Sequence, residues 1–185
     1  MRRAGALLAA ASFLCACAGL PDLGAERVAL FEFEFAGRIA VRHGEQASSG
    51  NVAWRHMRGS DELLITTPVG GAVARIVRDH NGVTLTGAGG DEHRAADAES
   101  LTERVLGFRL PLEGLADWVR ARPSPGASAV AQYDLTGRLA SLEQGGWRIE
   151  YLDYESARAG AMPTRMRLHY PALELRLAIH DWKVR

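Results

Sequence analysis

Cysteine is scarce in this sequence and is confined to one end. The chain has two cysteines, Cys15 and Cys17, and the remaining residues up to 185 contain none. A thiol pair for a structural disulfide is therefore lacking in the body of the chain. Its stability must come from the packing of apolar side chains.

An excess of positive charge is also lacking. The 22 basic and 22 acidic residues give a formal net charge of zero. Loss of Arg2 and Arg3 with an N-terminal signal leaves about −2, which is far from the basic balance of a nucleic-acid-binding protein. We expect no nucleic-acid partner.

A hydrophobic run long enough to cross a membrane is missing as well. The apolar stretch at residues 4–14 is shorter than the roughly 20 residues of a transmembrane helix. It follows two arginines and leads to Leu14-Cys15-Ala16-Cys17, a pattern typical of a secretory signal peptide. The last four residues resemble a bacterial lipobox with Ala16 before the modified cysteine. Residues 1–16 are therefore predicted to be the signal peptide, and Cys17 to carry the lipid.

The residues after Cys17 suggest a tether and a single domain. Ala18 is not the aspartate that retains lipoproteins in the inner membrane of enteric bacteria, which favours the outer membrane. Residues 17–27 contain glycine and proline without an apolar period and are predicted to be the lipidated N-terminus and tether. Residues 28–185 are long enough for one domain with a substantial core.

Residue patterns for catalysis or metal binding are weak. No two histidines have the i, i+4 spacing of a helical zinc site, and most are expected to be exposed. Their positions are 43, 56, 80, 93, 169 and 180. No serine lies in a Gly-x-Ser-x-Gly setting. The acidic pairs Asp61-Glu62 and Asp91-Glu92 are expected to be solvated turns. We expect no enzyme, no metal and no cofactor beyond a covalent lipid on Cys17.

Alternating apolar and polar residues predict a largely antiparallel sheet. The clearest strand contains Phe31, Phe33, Phe35, Ile39 and Val41, and Gly37 on its apolar face predicts a bulge. Asn81-Gly82 predicts a hairpin. Further strands are expected at 51–56, 63–67, 72–78, 83–86, 130–135, 139–143, 147–154, 164–170 and 173–182.

Two short helices are predicted in the middle of the chain. Asp97 is suited to cap a helix that runs to Leu106 and ends at Gly107. A second amphipathic helix is expected at 111–120. A sheet of about ten strands must curl, close or split to bury its apolar face. The expected fold is an incomplete antiparallel barrel of ten or eleven strands covered by short helices. The residues leave open whether the covered space is an apolar cavity or solid core.

One apolar side chain is out of place in a turn. Pro68 and the glycines at 70 and 71 predict a turn, yet Val69 lies between them. Such turns are normally polar and at the surface. Val69 either folds back onto the core or points outward towards a membrane.

Several segments in order along the chain resemble the LolB family of outer-membrane lipoprotein receptors. None of them is specific by itself, but their order and spacing together make the resemblance strong. They are Phe35–Val41, Ala53-Trp54, Leu63–Gly70, Ala98–Gly107, Leu110–Leu112, Leu115, Trp118-Val119, Gly145–Ile149, Tyr151, Tyr154, Met162-Pro163, Leu175–Leu177 and Asp181-Trp182.

This resemblance implies an apolar cavity that holds the acyl chains of other lipoproteins. The periplasmic chaperone LolA would deliver them, and the receptor, a monomer facing the periplasm, would pass them to the inner leaflet of the outer membrane. The family's insertion loop carries leucine where this chain has Val69, so Pro68, Val69 and Gly70 are the matching loop. Candidate cavity residues are Phe33, Phe35, Ile39, Trp54, Ile65, Leu115, Trp118, Trp147, Tyr151 and Trp182.

Three other functions remain open at this point. One is a lipoprotein that binds another lipid or hydrophobic ligand in the same kind of cavity. A structural lipoprotein would use its sheet edges to bind protein partners. An enzyme is the least favoured reading, because no nucleophile, base and orienting group come together.

Overall fold

A computed structural model of the chain describes residues 32–184. The predicted signal peptide, Cys17, the whole tether region and Phe31 lie outside the described residues. The described part forms a single antiparallel sheet of eleven strands, with two helices inserted halfway along the chain.

The helices and strands follow one another in a simple order. The strands are β1 Phe33–His43, β2 Gln46–Met57, β3 Ser60–Thr66, β4 Ala72–Asp79, β5 Gly82–Gly87, β6 Glu92–Ala95, β7 Ala129–Tyr133, β8 Leu139–Gln144, β9 Trp147–Tyr154, β10 Pro163–Tyr170 and β11 Leu173–Val184. Between β6 and β7 lie α1, Ala98–Leu106, and α2, Leu112–Trp118. The order across the sheet is β6-β5-β4-β3-β2-β1-β11-β10-β9-β8-β7.

The first and last strands meet at the centre of the sheet. β1 pairs with β2 on one side and with β11 on the other. Its register with β11 shifts between Ala36 and Gly37. A Cβ at Gly37 would lie 2.3 Å from the carbonyl oxygen of Ala178, so the backbones approach here as only glycine permits. The bulge predicted at Gly37 is confirmed.

The sheet curls around α2. Nη1 of Arg78 on β4 lies 3.6 Å from a carboxylate oxygen of Glu113, while the ring of Trp118 lies 6.0 Å from that of Trp147 on β9. In a flat sheet, six strand spacings would separate β4 from β9 by about 29 Å. Glu113 and Trp118 are only about 7.5 Å apart along the helix axis. Both ends of α2 reach the sheet because the sheet bends around the helix.

The ends of the first helix are those predicted. The Asp97 carboxylate accepts a hydrogen bond from the backbone N–H of Ser100 at 2.8 Å, and Gly107 ends the helix with φ +81°. The second helix is shorter than predicted. It begins after Pro111 and ends at Trp118, because a left-handed residue, Ala121 with φ +55°, follows within three positions.

Two local details differ from the prediction. The sequence did not predict β6, whose side chains are mostly exposed and therefore lack an apolar alternation. The hairpin between β4 and β5 is present, but Asp79 pairs with Gly82, so His80 and Asn81 form its turn. Only Gly82 there has positive φ, at +120°.

The predicted fold class is confirmed as an open antiparallel sheet of eleven strands with two short helices. The buried residues of α1 and α2 belong to the same apolar cluster as the buried face of the sheet. The helices therefore cover the concave side, and the opposite side of the sheet faces outward.

Candidate functional site

The ten predicted cavity residues lie together on the concave side. Seven are buried and three are partly exposed, and all belong to or pack against one apolar cluster. The buried ones are Phe33, Phe35, Trp54, Leu115, Trp118, Trp147 and Tyr151. The partly exposed ones are Ile39, Ile65 and Trp182. A role for them in holding cargo stays a prediction.

Aromatic rings dominate one end of this cluster. The Phe33 ring lies 5.3 Å from the Trp54 ring and 5.6 Å from the Trp182 ring, both edge to face. Phe35 contacts the same two tryptophans at 5.9 and 5.1 Å. Edge-to-face pairs of this kind add to the stability that burial alone provides, so this end of the concave side is firmly packed.

Hydrogen bonds satisfy the polar atoms of the aromatic residues around α2. The indole N–H of Trp118 donates to Gln144 at 2.8 Å, and the Tyr151 hydroxyl donates to the carbonyl oxygen of Trp118 at 2.8 Å. Burial raises the pKa of Tyr151, which keeps the hydroxyl protonated as a donor. The amide of Gln144 also donates to the carbonyls of Ser124 and Ala127. With these atoms paired, an acyl chain would meet an apolar surface here.

The opposite end of the concave side carries a set of partly buried apolar side chains. Six apolar side chains there are only partly buried, and we call them the apolar rim. They are Ile39, Val41, Ile65, Val105, Leu106 and Phe108. The Phe108 ring lies 6.0 Å from His43, which places the end of α1 beside the end of β1. The apolar rim is thus a partly exposed apolar surface at this end of the concave side.

The β3–β4 loop presents Val69 to solvent. The side chain is 96% exposed, so the alternative in which it folds back onto the core is wrong. The loop is braced at its base, where Thr67 N–H donates to Gly71 O at 2.7 Å and Gly70 N–H donates to Thr67 O at 2.9 Å. The Asn51 side chain donates to the same Thr67 carbonyl at 3.2 Å. The exposed valine therefore sits on a fixed support.

The concave side also holds a buried charge cluster that the sequence did not predict. The Asp61 carboxylate is fully buried and accepts hydrogen bonds from Trp54 Nε1 at 2.9 Å and Arg78 Nε at 2.6 Å. His56 Nδ1 lies 2.6 Å from the same carboxylate. Asp61 was expected in a solvated turn and His56 on an exposed face, and both expectations are wrong. Asp61 lies on the same strand face as Leu63, and His56 on the same face as Trp54. This alternation was the signal in the sequence that places both on the buried face.

The partners of Asp61 determine its ionisation. Burial by itself raises the pKa of this carboxyl, but the hydrogen bonds from His56 and Trp54 and the charge of Arg78 outweigh burial and hold the pKa below its ordinary value of 3.8. Asp61 is therefore a carboxylate at neutral pH. Its hydrogen bond holds the indole of Trp54, one of the predicted cavity residues, against β3.

Residues 32–184 contain neither a metal-binding cluster nor a helix that could span a membrane. No group of three or more histidine, cysteine, aspartate or glutamate side chains there is placed to hold a metal ion. None of the described helices has the length and apolarity needed to span a bilayer.

Comparison with known proteins identifies the family. Residues 31–182 match the family model described as outer membrane lipoprotein LolB. The chain is 38% identical to the outer-membrane lipoprotein LolB of Azoarcus sp. (strain BH72), over 95% of this chain and 92% of that protein. It is also 38% identical to the LolB of Thiobacillus denitrificans, over 99% of this chain and 98% of the relative.

A solved structure supports the fold alone. A DUF1329 family protein of Desulfovibrio piger superposes with a TM-score of 0.52 over 83% of this chain and 85% of its own, at 9% sequence identity. The family model covers most of the chain, and the two relatives cover nearly all of it. The chain belongs to the LolB family of outer-membrane lipoproteins.

Proposed function

We propose that this protein is a receptor that accepts lipoproteins from the periplasmic chaperone LolA and inserts them into the outer membrane. Membership of the LolB family supports the receptor role. The observation that carries the proposal is the fully exposed Val69 on a braced loop, in a protein whose concave side is lined by aromatic and aliphatic residues.

The concave side supplies the chemistry that acyl chains require. Each methylene exposed to water costs about 0.8 kcal/mol, so a lipoprotein with several chains cannot cross an aqueous space unshielded. An apolar surface binds such chains without directional contacts and so accepts cargoes whose protein parts differ. The ten predicted cavity residues and the apolar rim supply this surface. The transfer is a carrier step and needs no catalytic group.

Val69 is proposed to direct delivery to the membrane. Full burial of a valine side chain contributes at most about 1.5–3 kcal/mol. That is too little to anchor a protein, but it is enough to favour contact between the loop and a bilayer while cargo leaves. Pro68 and Gly70 flank the valine, and Gly70 adopts φ +95°, which fixes the turn that presents it.

Cys17 is proposed to hold the receptor at the membrane where its cargo is needed. Lipid on Cys17 would keep the domain on the periplasmic face of the outer membrane, with residues 18–27 as the tether. Multiple acyl chains would give this anchor a long residence time. The anchor need not take part in the transfer itself, because the proposed binding surface lies within residues 32–184.

The Val69→Glu variant separates uptake from delivery. We expect it to accept a radiolabelled lipoprotein from LolA at the wild-type rate and to pass that cargo to vesicles at least about tenfold more slowly, because the valine's burial energy is lost. The matched control is Leu135→Glu, which alters another fully exposed apolar residue far along the chain from the loop.

The outcomes of this experiment differ clearly. Equal loss of uptake and delivery in Val69→Glu would contradict the proposed role of the loop. Equal slowing by Leu135→Glu would show that any added charge is enough. Binding of a free lipid without acceptance of lipoprotein from LolA would replace the proposed receptor with a carrier of another hydrophobic ligand.

A further inference from the structure

A basic groove lies on the outer face of the sheet, on the side away from the proposed cargo surface. Its volume is about 490 Å³. Four of its lining residues are arginines, and none is acidic. These four, which we call the arginine groove, are Arg38, Arg165, Arg167 and Arg176.

The register of three central strands brings the arginines together. Arg38 on β1 and Arg165 on β10 both pair with Ala178 on β11, so one small residue separates them. In the next row Arg176 on β11 pairs with Arg167 on β10 and with Ala40 on β1. Because the side chains of Ala178 and Ala40 are short, they leave a depression between the four long cationic side chains.

The charge of the groove is only partly compensated. Arg176 pairs with Glu174 at 2.5 Å and Arg167 with Glu150 at 3.4 Å. Within residues 32–184, neither Arg38 nor Arg165 forms an ion pair, and both are exposed. The buried Nε of Arg167 has no hydrogen-bond partner there either. The groove thus retains two unpaired cations and one unsatisfied donor, as a site for an anion requires.

Apolar groups border the same groove. Pro68, the residue before the exposed Val69, is one of its lining residues, and so is Leu152, which is 51% exposed. Asn51 pairs with Arg38 in the sheet and holds the loop through Thr67. Cationic side chains beside exposed apolar ones are the combination that binds the interface of an anionic bilayer.

We propose that the arginine groove binds the phosphate-bearing head group of an anionic phospholipid in a bilayer and so holds the Val69 loop against the membrane. The guanidinium groups of Arg38 and Arg165 contact the phosphate oxygens, and Val69 enters the adjacent acyl region. This proposal rests on the proposed function and gives it an orientation, with the outer face of the central strands towards the lipid.

Vesicle flotation tests the groove without any cargo. The test uses a chain that starts at residue 18, which keeps every described strand and helix and carries no lipid of its own. We expect it to float with vesicles of phosphatidylcholine and phosphatidylglycerol in equal parts, and not with phosphatidylcholine alone. The binding should fall as salt is raised. It should also fall about fivefold for each arginine removed in Arg38→Gln and Arg165→Gln.

The control removes equal charge elsewhere on the molecule. Arg75→Gln combined with Arg94→Gln alters two exposed arginines of β4 and β6, and we expect it to bind vesicles almost as wild type does. Equal loss in both double variants would overturn the proposal, since net charge alone would then explain binding. If inorganic phosphate competed for the groove as well as vesicles do, the groove would be a free-anion site. That result would also overturn the proposal.

Cargo uptake distinguishes this proposal from the proposed function. Normal vesicle binding by the Arg38→Gln, Arg165→Gln variant, with failed uptake from LolA, would make the groove a protein-docking surface and refute the lipid assignment. Lost vesicle binding by this variant, with normal uptake from LolA, would support the groove as the head-group site. Failure of the wild type to accept any lipoprotein, with its vesicle binding intact, would refute the receptor function and leave the head-group site standing.

Discussion

At the scale of single residues, Asp61 is expected to contribute strongly to stability. Its carboxylate is fully buried, accepts hydrogen bonds from Trp54 and Arg78, and lies within hydrogen-bond distance of His56. Asp61→Asn would leave the Arg78 charge with one weaker partner, Glu113, at 3.6 Å. We expect a loss of about 3 kcal/mol in the free energy of unfolding, measured by urea denaturation.

The neighbouring acid provides the control for this substitution. Glu62 is 40% exposed and pairs with Arg75 at 2.6 Å. An exposed pair of this kind is worth less than about 1 kcal/mol, so Glu62→Gln should change stability little. Equal effects of the two variants would contradict the special role of the buried carboxylate.

The same residue predicts how stability depends on pH. The pKa of Asp61 is lowered in the folded protein from its ordinary value of 3.8, so the folded state favours the charged form. Its contribution is fully present above the unfolded pKa and is lost as pH falls through the folded pKa. The difference in unfolding free energy between wild type and Asp61→Asn should therefore be constant at neutral pH and shrink below about pH 4. A difference that stays constant into acid would show that the charge of Asp61 is not what stabilises the fold.

Prediction from sequence succeeded at residues whose role is local. Asp97 caps a helix through a backbone N–H three positions away, which the order of residues reveals. The prediction for Asp61 was wrong because Ser60, Asp61 and Glu62 have the composition of a turn. The partners that bury it lie up to 17 residues away and become visible only once β2, β3 and β4 are in register.

At the scale of elements, the bulge in β1 depends on Gly37. A Cβ there would lie 2.3 Å from the Ala178 carbonyl oxygen, so Gly37→Ala must push β1 and β11 apart. We expect a loss of about 1–3 kcal/mol in the free energy of unfolding, in the range of overpacked cores. Urea denaturation measures it, and Gly160→Ala is the control, because nothing lies within 4 Å of a Cβ at that position. A Gly37→Ala variant as stable as Gly160→Ala would mean that the two strands separate without cost.

Strands with an apolar alternation could be predicted, and strands without one could not. The prediction for residues 147–154 matches β9, where Trp147, Ile149 and Tyr151 are buried on one face. The edge strand β6 has no such pattern and exists through its pairing with β5. The second helix ended early because its last predicted turn is replaced by a backbone reversal around Ala121.

At the scale of the whole molecule, alternation gives the number of strands but not their neighbours. The pairing of β1 with β11 joins residues separated by nearly the whole domain, such as Phe35 and Trp182. Composition and periodicity did not predict this pairing, and the family resemblance implied only an incomplete barrel. Neither shows which concave side chains hold cargo, because a buried aromatic residue serves equally as core or as the wall of a cavity.

The most direct measurement is the transfer of a radiolabelled lipoprotein from loaded LolA to the chain beginning at residue 18. We expect the cargo to move to this protein in solution, without nucleotide and without the lipid of Cys17, because the proposed apolar surface lies within residues 32–184. Cargo that remains entirely on LolA would contradict the receptor function.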